Sequence, residues 1–370
     1  MKNMICAAQF AAPYEGNFIL SLKKLEIELI RLGMTVHYVF PNKCRYTPWI
    51  DEFKKNRSVY FTDDVVRSSL AVSQLKRIIH ELSPVLVHTH FDGYDVSIQK
   101  AGAICPVVWH LHNYLSFVPS KIKQLYQHLL FYQHYGWNCR KNTYAISVCP
   151  EMVDLVCSYG FNHDRIKCIP NGIDLERIHP ICETNSIFEK RFVDENPFIF
   201  LAMGACNIRK RIDLLYHAGE ILSKQKLSFK IWVTKGVDTE EVVHKLGGEN
   251  SWFKIIEQQE NINDLFQKVS CFVSSSEHET FSYAIAEATY FGLPVIQSDI
   301  SGTIWNANNP SVFVFESENV ADLERRMLEV MQAGDLSESC KVSSKFIKEN
   351  YSLDSWVENI LSFYRNYSLI

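Results

Sequence analysis

The sequence predicts an α/β protein with two domains, each built on a doubly wound parallel sheet. Apolar runs of strand length alternate with helix-like segments along almost the whole chain, which is the pattern of parallel strands joined by helical crossovers. The 370 residues are enough for two domains with separate cores. Residues 174–197 are mixed in charge and weakly periodic, so we place a hinge there.

The first series of strands begins with an apolar run at residues 4–10. After a loop through Pro13 and Gly16, large apolar residues recur at four-three-four-three spacing up to Gly33, which predicts an amphipathic helix ended by a glycine. The further strands predicted in this half are 35–40, 85–89, 106–110, 144–147 and 167–169.

The second half repeats this alternation. Its predicted strands are 198–203, 228–233, 253–256, 271–274, 294–297 and 311–315. A last periodic stretch, from Tyr351 to Tyr364, predicts a terminal helix.

The composition argues against several classes of protein. A formal net charge of −4 without a long basic run gives no support for nucleic-acid binding. The eleven cysteines are an odd number and form no Cys-x-x-Cys pair, so we expect a reducing cytoplasm and neither a disulfide framework nor a zinc cluster. The N-terminal apolar stretch is broken by Gln9 and Pro13, which favours a first strand over a signal peptide.

The segment 274–296 is the most informative about function. Small polar residues follow an apolar run, then come Glu279 and a helical stretch that carries Glu287 and ends at Gly292. This predicts a strand–loop–helix–strand unit with an acidic residue where the loop becomes the helix. Parallel sheets bind ligands at such places, outside the carboxyl ends of the strands.

The eight-residue spacing of the two glutamates separates two kinds of site. Along a helix it places the backbones about 12 Å apart, whereas the acid pair of a glycoside hydrolase lies about 5–9.5 Å apart. The spacing therefore favours two contacts along an extended ligand. The alternative is that Glu279 is an ordinary first-turn acid and Glu287 a solvated helix residue.

The motif Glu279-Thr-Phe-Ser-x4-Glu287, followed by Gly-Leu-Pro-Val-Ile, resembles the Glu-x7-Glu signature of retaining GT-B glycosyltransferases of the group 1 family. The resemblance implies two Rossmann-like doubly wound domains facing a cleft that holds the active site. It implies an acceptor-binding domain at 1–178, a nucleotide-sugar-binding domain at 179–350, and a C-terminal helix at 351–370 that crosses back to the first domain.

The same resemblance assigns roles to the residues of this segment. Glu279 would lie near the donor sugar and the reacting centre, and Glu287 would hold the ribose of the nucleotide. The helix would open toward the diphosphate with the amides of Thr280, Phe281, Ser282 and Tyr283, because the first N–H groups of a helix are unpaired.

A basic turn after the strand at 198–203 supplies the cations. The family pattern there is Gly-Arg-x4-Lys-Gly, and Lys210 stands six residues after Gly204, at the position of the lysine. Ala205 takes the place of the arginine, and Arg209 could replace its charge because a planar guanidinium binds phosphate readily. The alternative is a solvated basic turn in front of a helix.

Several motifs are absent from the sequence. It contains no Asp-x-Asp pair, no Gly-x-Gly-x-x-Gly after a strand and no P-loop. Glycosyltransferases of the GT-A type generally hold a divalent metal through Asp-x-Asp. We therefore expect no metal and no cofactor besides the nucleotide-sugar substrate, with cations and amides alone neutralising the leaving diphosphate.

The first domain offers weaker matches. The loop 13–17 takes the place of the family's glycine-rich loop, with Gly16 as its glycine. An ordinary turn in which Asn17 caps the helix explains this loop equally well. The resemblance assigns His112 to face the donor sugar, with Asn113 replacing the usual aspartate.

Two His-x-His pairs, His88/His90 and His110/His112, stand at the ends of predicted strands. Side-chain alternation places the members of each pair on one face, so a metal site is an alternative interpretation. No cysteine or carboxylate stands at a convincing spacing to complete such a site. We therefore predict no metal there.

Residues 114–141 are rich in aromatic side chains and carry flanking lysines and arginines. Such a segment could lie on a membrane surface or against a lipid-linked acceptor. The alternative is a set of helices that cover a core with their polar tips in water. We expect a cytoplasmic protein, with peripheral contact at the inner membrane face as an open alternative.

Together with these features, the resemblance implies a metal-independent, retaining glycosyltransferase of the hexosyltransferase type. It implies transfer of a sugar from a nucleotide-diphosphate sugar, with UDP favoured as the commoner choice in the family, to a carbohydrate or lipid-linked acceptor hydroxyl in surface polysaccharide or glycan biosynthesis. Two alternatives stay open. One is a weakly active partner subunit of a glycosyltransferase pair, because of Ala205 and the missing loop glycines. The other is a GT-B nucleotide-sugar epimerase.

Overall fold

The computed structural model of the protein describes residues 2–113, 115, 121–139, 141–181, 197–204, 207–259 and 261–370. They form two compact units, the first made of Met1–Gly172 with Leu353–Ile370 and the second of Ile173–Ser352. Each unit contains one sheet whose strand pairs are all parallel, so the predicted fold class is confirmed. Most of the predicted hinge, residues 182–196, lies outside the described residues.

The sheet of the first unit has seven strands in the order β3-β2-β1-β4-β5-β6-β7. They are β1 (Lys2–Ala8), β2 (Met34–Pro41), β3 (Ser58–Thr62), β4 (Leu86–His90), β5 (Val107–Leu111), β6 (Thr143–Ser147) and β7 (Ile166–Cys168). Strand β3 is an addition to the predicted set. The chain moves outward from β1 to β3 and then returns to pair β4 with the other side of β1. We call this reversal the switch point of the sheet, the place where such sheets bind ligands.

Helices connect these strands and cover both faces of the sheet. They are α1 (Gly16–Arg31), α2 (Ile50–Lys54), α3 (Ser69–Leu82), α4 (Asp95–Lys100), α5 (Lys121–Phe131) and α6 (Pro150–Ser158), and a π-helical turn at Tyr132–Trp137 continues α5. The predicted amphipathic helix is confirmed as α1, since its apolar positions Phe18, Leu22, Leu25 and Leu29 are buried.

The sheet of the second unit has six strands in the order β10-β9-β8-β11-β12-β13. They are β8 (Phe198–Met203), β9 (Phe229–Thr234), β10 (Phe253–Ile256), β11 (Cys271–Ser274), β12 (Val295–Ser298) and β13 (Val312–Phe315). The chain runs outward from β8 to β10 and then returns to place β11 on the other side of β8. The switch point of this sheet therefore lies between β8 and β11.

Seven α-helices of the described residues belong to the second unit. They are α7 (Asn207–Lys210), α8 (Ile212–Ser223), α9 (Thr239–Lys245), α10 (Ile262–Phe266), α11 (Tyr283–Phe291), α12 (Val320–Gln332) and α13 (Ser337–Asn350). Across the part of the chain that the structure describes, no helix combines the length and the apolar character needed to cross a bilayer.

The terminal helix α14 (Leu353–Asn366) is part of the first unit. Alternate residues of β1 enter two cores, Met4 on one face of the sheet and Ile5 on the other. The core that contains Met4 is completed by Trp356 and Tyr364 of α14. One face of the first sheet is therefore covered by residues from the far end of the chain.

Candidate active site

Lys210 and Glu279 meet at the switch point of the second sheet. Lys210 ends α7, which follows β8, and Glu279 lies in the loop that follows β11. Because β8 and β11 are neighbours in the sheet, the two connections leave it side by side. The Nζ of Lys210 lies 2.5 Å from Oε1 of Glu279, and the side chains are only 17% and 6% exposed. A charge-assisted hydrogen bond of this kind holds both groups in one geometry.

Two serines fix the loop that carries Glu279. Ser276 donates its hydroxyl to the same Glu279 oxygen at 3.2 Å. Ser275 donates to the carbonyl oxygens of Lys210 and Arg211 at 2.8 and 3.0 Å. The loop is therefore tied to the carboxylate and to the backbone of the basic turn. Neither serine is among the predicted site residues, although the run of small polar residues after β11 was a signal for them.

Gly302 lies against the backbone of Glu279. A Cβ atom at position 302 would come within 1.9 Å of the Glu279 carbonyl oxygen, a distance that real Cβ atoms do not show. The approach of the two backbones therefore requires a glycine. Gly302 is also absent from the predicted site, because a single glycine in a loop has many explanations and its contact with Glu279 is tertiary.

Helix α11 begins later than the motif implied. Ser282 is its N-cap, and the N–H of Ile285 donates to the Ser282 hydroxyl at 3.4 Å. Tyr283 is therefore the first helical residue, and Thr280 and Phe281 belong to the preceding loop. The prediction that the amides from Thr280 onward open the helix is wrong in this respect, because the capping serine sets the start.

The side chain of Phe281 packs in the core of the second unit. Its side chain is buried and stacks on Trp305, with ring centroids 4.9 Å apart. This anchors the loop that contains Thr280 and Glu279 to the core of the second unit. The side chain of Phe281 is therefore part of the core and does not face a ligand.

Glu287 lies within α11 and is only 8% exposed, so the alternative of a solvated helix residue is wrong. Nη1 of Arg177 lies 3.8 Å from its Oε1. Burial, and then the charge of Glu287, raise the pKa of Tyr283 above its usual range. Arg177 is a charged neighbour that no sequence motif indicated, because it comes from a segment far from α11 in the chain.

The other two cations of the basic turn differ in environment. Arg211 contacts three carboxylates, those of Asp213, Glu277 and Glu318, at 3.0, 3.3 and 2.9 Å. Its charge is therefore already neutralised. The exposed Arg209 forms no side-chain hydrogen bond or ion pair with any residue that the structure describes, so its guanidinium is available. Ala205 lies outside the described residues.

His112 follows β5 in the first unit, beside His90 at the end of β4. Its Nε2 lies 3.0 Å from Nδ1 of His90. Burial lowers the pKa of His112 to about 3, so at pH 7 its imidazole is neutral and offers a hydrogen bond without a charge. The next residue, Asn113, donates to Oδ1 of Asp92 at 3.0 Å.

Gly16 starts α1 in the loop that leaves β1 at the switch point of the first sheet. Its φ of +56° is in the left-handed region, which favours glycine. Asn17 is the second residue of the helix and Glu15 precedes it as the cap. The alternative of an Asn17 cap is therefore wrong.

Two family models cover most of the chain. Residues 21–177 match the model for Glycosyltransferase Family 4, and residues 183–352 match the model for Glycosyl transferases group 1. The chain belongs to the group 1 glycosyltransferases. The family predicted from the glutamate motif is thus confirmed, and the protein is a transferase.

Curated relatives resemble the glycosyltransferase over part of their length. Mannosylfructose-phosphate synthase of Agrobacterium fabrum is 27% identical over 178 residues, which are 44% of this chain and 39% of that protein. Alpha-galactosylglucosyldiacylglycerol synthase of Streptococcus pneumoniae is 23% identical over 227 residues, 58% of this chain and 60% of that protein. Both alignments span less than two thirds of the relative.

Solved structures of the same fold match the glycosyltransferase over nearly its whole length. Anabaena HepE in complex with UDP has a TM-score of 0.76 and 15% identity, covering 99% of this chain and 100% of that chain. At this identity the likeness concerns the fold. It confirms the predicted GT-B class.

Proposed function

We propose that this glycosyltransferase moves a sugar from a nucleotide-diphosphate donor to an acceptor hydroxyl, with retention of configuration at the anomeric carbon and without a metal ion. The observation that carries the proposal is the contact of Lys210 with Glu279 at the switch point of the second sheet. Sheets of this kind bind ligands at that point, and the contact brings an ammonium and a carboxylate to it.

Lys210 would neutralise the charge that develops on the leaving diphosphate. Its ammonium is largely shielded from water, and one donor in such a site is worth about 3 kcal/mol of transition-state stabilisation. An ammonium has three hydrogens to donate, so phosphate oxygens can bind while Glu279 stays in contact. Arg209, exposed on the same turn, would supply the second cation.

Glu279 would position the donor sugar. A carboxylate has about four acceptor sites, so Glu279 can hold Lys210 and Ser276 and still accept a sugar hydroxyl. In the transfer step the acceptor oxygen bonds to the anomeric carbon, and the bond from that carbon to the phosphate oxygen breaks on the same face. The acceptor proton passes to the departing phosphate, so no protein base is needed.

Two further residues complete the proposed donor contacts. Glu287 would accept hydrogen bonds from the two ribose hydroxyls, because a buried carboxylate can bind paired donors with both oxygens. The 3.8 Å separation from Arg177 is long enough for a ligand to replace that contact. In the first unit, His112 stays the residue that the family resemblance predicts to face the donor sugar.

The nucleotide and the acceptor are proposed from the relatives. UDP is favoured because HepE of Anabaena, which shares the fold, is solved in complex with UDP. One curated relative is named as the synthase of a sugar phosphate and another as the synthase of a glycolipid. We therefore place the acceptor among carbohydrates and lipid-linked sugars, and the reaction in the synthesis of a surface polysaccharide or glycan.

An exposed apolar surface of the first unit fits a lipid-linked acceptor. Four large side chains of α5 and the π-helical turn are between 60% and 91% exposed, namely Leu125, Tyr126, Leu129 and Trp137. Lys121 and Lys123 stand at the start of α5, as in helices that lie on anionic membranes. Within the predicted segment, residues 114, 116–120 and 140 lie outside the described part of the chain.

Sedimentation with phosphatidylglycerol vesicles tests this surface. Leu125→Ser combined with Leu129→Ser should reduce the bound fraction severalfold, since each exposed apolar side chain adds to membrane affinity. Ile30→Ser is the control, because Ile30 is also an exposed apolar residue of a helix in the first unit. Equal binding of the two variants would contradict a lipid contact through α5.

Proton NMR of a single reaction mixture tests the transfer itself. A thermal-shift screen first identifies the nucleotide sugar that raises the melting temperature. With that donor and a sugar acceptor, we expect release of nucleoside diphosphate and a product with the anomeric configuration of the donor, at rates that do not depend on added Mg²⁺ or Mn²⁺. An inverted product, or activity only with one of these ions, would contradict the corresponding part of the proposal.

The same spectra distinguish the two alternatives. Conversion of the nucleotide sugar to its epimer, without release of a nucleoside diphosphate, would identify an epimerase. A chain that binds the donor but neither hydrolyses nor transfers it would favour a partner subunit that needs a second chain. Hydrolysis or transfer that Glu279→Ala abolishes would rule this alternative out.

A further inference from the structure

Four histidines of the first unit form one cluster, His88 and His90 on β4 with His110 and His112 at the end of β5. The two strands pair with His90 opposite His110, so the two His-x-His pairs lie side by side on one face of the sheet. The rings stack, with centroids 4.3 Å apart for His88 and His90 and 4.1 Å apart for His110 and His112. His88, His90 and His110 are completely buried.

Three of these side chains have the spacing of a metal ligand set. One ring nitrogen from each of His88, His90 and His110 lies within 4.8 Å of the others. Bonds from zinc to nitrogen of about 2.0–2.1 Å place two ligand nitrogens of a tetrahedral site about 3.4 Å apart. Movement of each ring nitrogen by up to about 0.8 Å toward their common centre would therefore close the set. The third ligand, which no cysteine or carboxylate spacing offered, comes from the neighbouring strand.

Hydrogen bonds inside the cluster leave two nitrogens without a partner. Nδ1 of His110 lies 3.2 Å from Nε2 of His88, and Nδ1 of His90 pairs with His112. The buried Nε2 atoms of His90 and His110 have no hydrogen-bond partner within the described residues. Buried polar atoms are seldom left in this state, and a bound cation would give them a role.

The chemistry of the three side chains suits a metal ion. All three candidate ligand atoms are imidazole nitrogens of completely buried side chains. Imidazole nitrogens are ligands that zinc binds well.

Tyr364 supplies the outer contact that metal-binding histidines need. Its hydroxyl on α14 lies 2.5 Å from Nδ1 of His88. A ligating imidazole usually directs its second nitrogen to a polar partner, which fixes the ring and its tautomer. The position of Tyr364 also connects the cluster to the terminal helix.

We propose that His88, His90 and His110 form a binding site for a Zn²⁺ ion in the core of the first unit. The ion would link β4 to β5 and, through Tyr364, stabilise the docking of α14. Its role would be structural, separate from the metal-free departure of the diphosphate that we propose for the second unit.

The test uses the untagged full-length protein and metal measurements. Inductively coupled plasma mass spectrometry after dialysis should find about one Zn²⁺ per chain. Protein stripped with a chelator should take up Co²⁺ with the visible absorption of a nitrogen-ligated ion. Zn²⁺ at about 100-fold above its Kd should raise the melting temperature by about 5 °C or more.

His110→Gln removes one ligand and should abolish both the Co²⁺ absorption and the Zn²⁺-dependent shift. His37→Gln is the matched control, because His37 is a largely buried histidine of β2 that pairs with Ser58 and Asn3. The proposal is overturned if the stripped wild-type protein binds neither ion, or if His110→Gln binds them equally well. These readouts do not involve sugar transfer, so they stand apart from the proposed function.

Discussion

The carbonyl oxygen of Glu279 lies 1.9 Å from where a Cβ atom at Gly302 would stand. Gly302 follows β12, and β12 is the sheet neighbour of the strand that precedes Glu279. The backbone of the proposed sugar-positioning residue is therefore held by a loop from the adjacent strand. The Glu279 side chain reaches Lys210 from this closely packed backbone.

Gly302→Ala should damage both the fold and the site. The added methyl group must push the Glu279 backbone away, which should cost about 1–3 kcal/mol of unfolding free energy. A displacement of about 1 Å at the reacting centre should lower kcat about 100-fold. Urea unfolding and steady-state kinetics measure the two effects.

Gly334→Ala is the control for this change. Gly334 has a left-handed φ of +65° but nothing within 4 Å of an added Cβ, so its variant should lose about 1–2 kcal/mol of stability through the backbone alone and keep its turnover. If Gly302→Ala also keeps its turnover, the contact does not set the position of Glu279.

Lys210→Met should separate a catalytic role from a structural one. It leaves the Glu279 carboxylate buried without its partner, which should cost about 3–5 kcal/mol of stability. Adding Glu279→Gln should recover much of that stability because the uncompensated charge is gone. The double variant should nevertheless turn over at least about 100-fold more slowly than wild type, because the cation for the diphosphate is missing.

Lys268→Ala provides the comparison for a lysine on the surface of the same unit. Its side chain is exposed, so stability and kcat should both stay near the wild-type values. Full activity of the stable double variant would show that Lys210 only holds the fold.

Glu287→Gln should weaken donor binding more than the chemical step. The neutral amide keeps the shape of the carboxylate but loses about 1.5–3 kcal/mol of hydrogen bonding to the ribose, which corresponds to about 10–100-fold in affinity. Calorimetric titration with the nucleoside diphosphate measures this loss directly. Glu338→Gln, at an exposed position of α13, should bind like wild type. A Glu287→Gln variant that binds the nucleotide normally would remove the ribose from the proposed site.

Asp92→Asn should stabilise the first unit at neutral pH. Burial, and then the charge of Asp95, raise the pKa of Asp92, and Asn113, Arg67 and His134 oppose this only in part. Because the pKa in the folded state is above the unfolded value of about 3.9, ionisation of Asp92 favours unfolding as the pH rises through this range. The gain from Asp92→Asn should therefore be full at pH 7.5 and vanish below about pH 4.

Asp335→Asn is the control, because its effect on stability should depend on pH with the opposite sign. Hydrogen bonds from Ser337 lower the pKa of Asp335, so its ionised form favours the folded state and the variant should lose stability above its titration range. Urea unfolding midpoints of both variants across pH 3.5–7.5 would show the two signs. A difference for Asp92→Asn that does not depend on pH would point to its left-handed backbone, with φ of 46°, as the cause.

Most strands could be predicted from the sequence because a central parallel strand is buried on both faces and appears as a short apolar run. Strand β3 could not be predicted in this way. It lies at the edge of the sheet, and four of its five residues are only partly buried. Its segment therefore lacks the continuous apolar signal of the central strands.

The residues of the candidate site also divide into those that could be predicted from the sequence and those that could not. Lys210, Glu279 and Glu287 belong to local motifs, so their spacing could be recognised along the chain. Gly302 and Arg177 act on these residues through tertiary contacts, which no local pattern reports.

The histidine cluster depends on strand register. Each His-x-His pair is visible in the sequence, but whether the two pairs meet depends on how β4 aligns with β5. The observed alignment places His90 beside His110. A shift by one residue would turn one pair to the opposite face of the sheet.

Trp356, Ile360 and Tyr364 line the core of the first unit, next to residues of β1 and α1. During synthesis, residues 1–172 leave the ribosome long before these side chains exist. One apolar face of the first sheet therefore stays uncovered until the terminal helix has been synthesised. In that interval the contiguous second unit is made and can already fold. The half that is translated first is thus the half that matures last, and exposure to chaperones or to aggregation should be greatest in that interval.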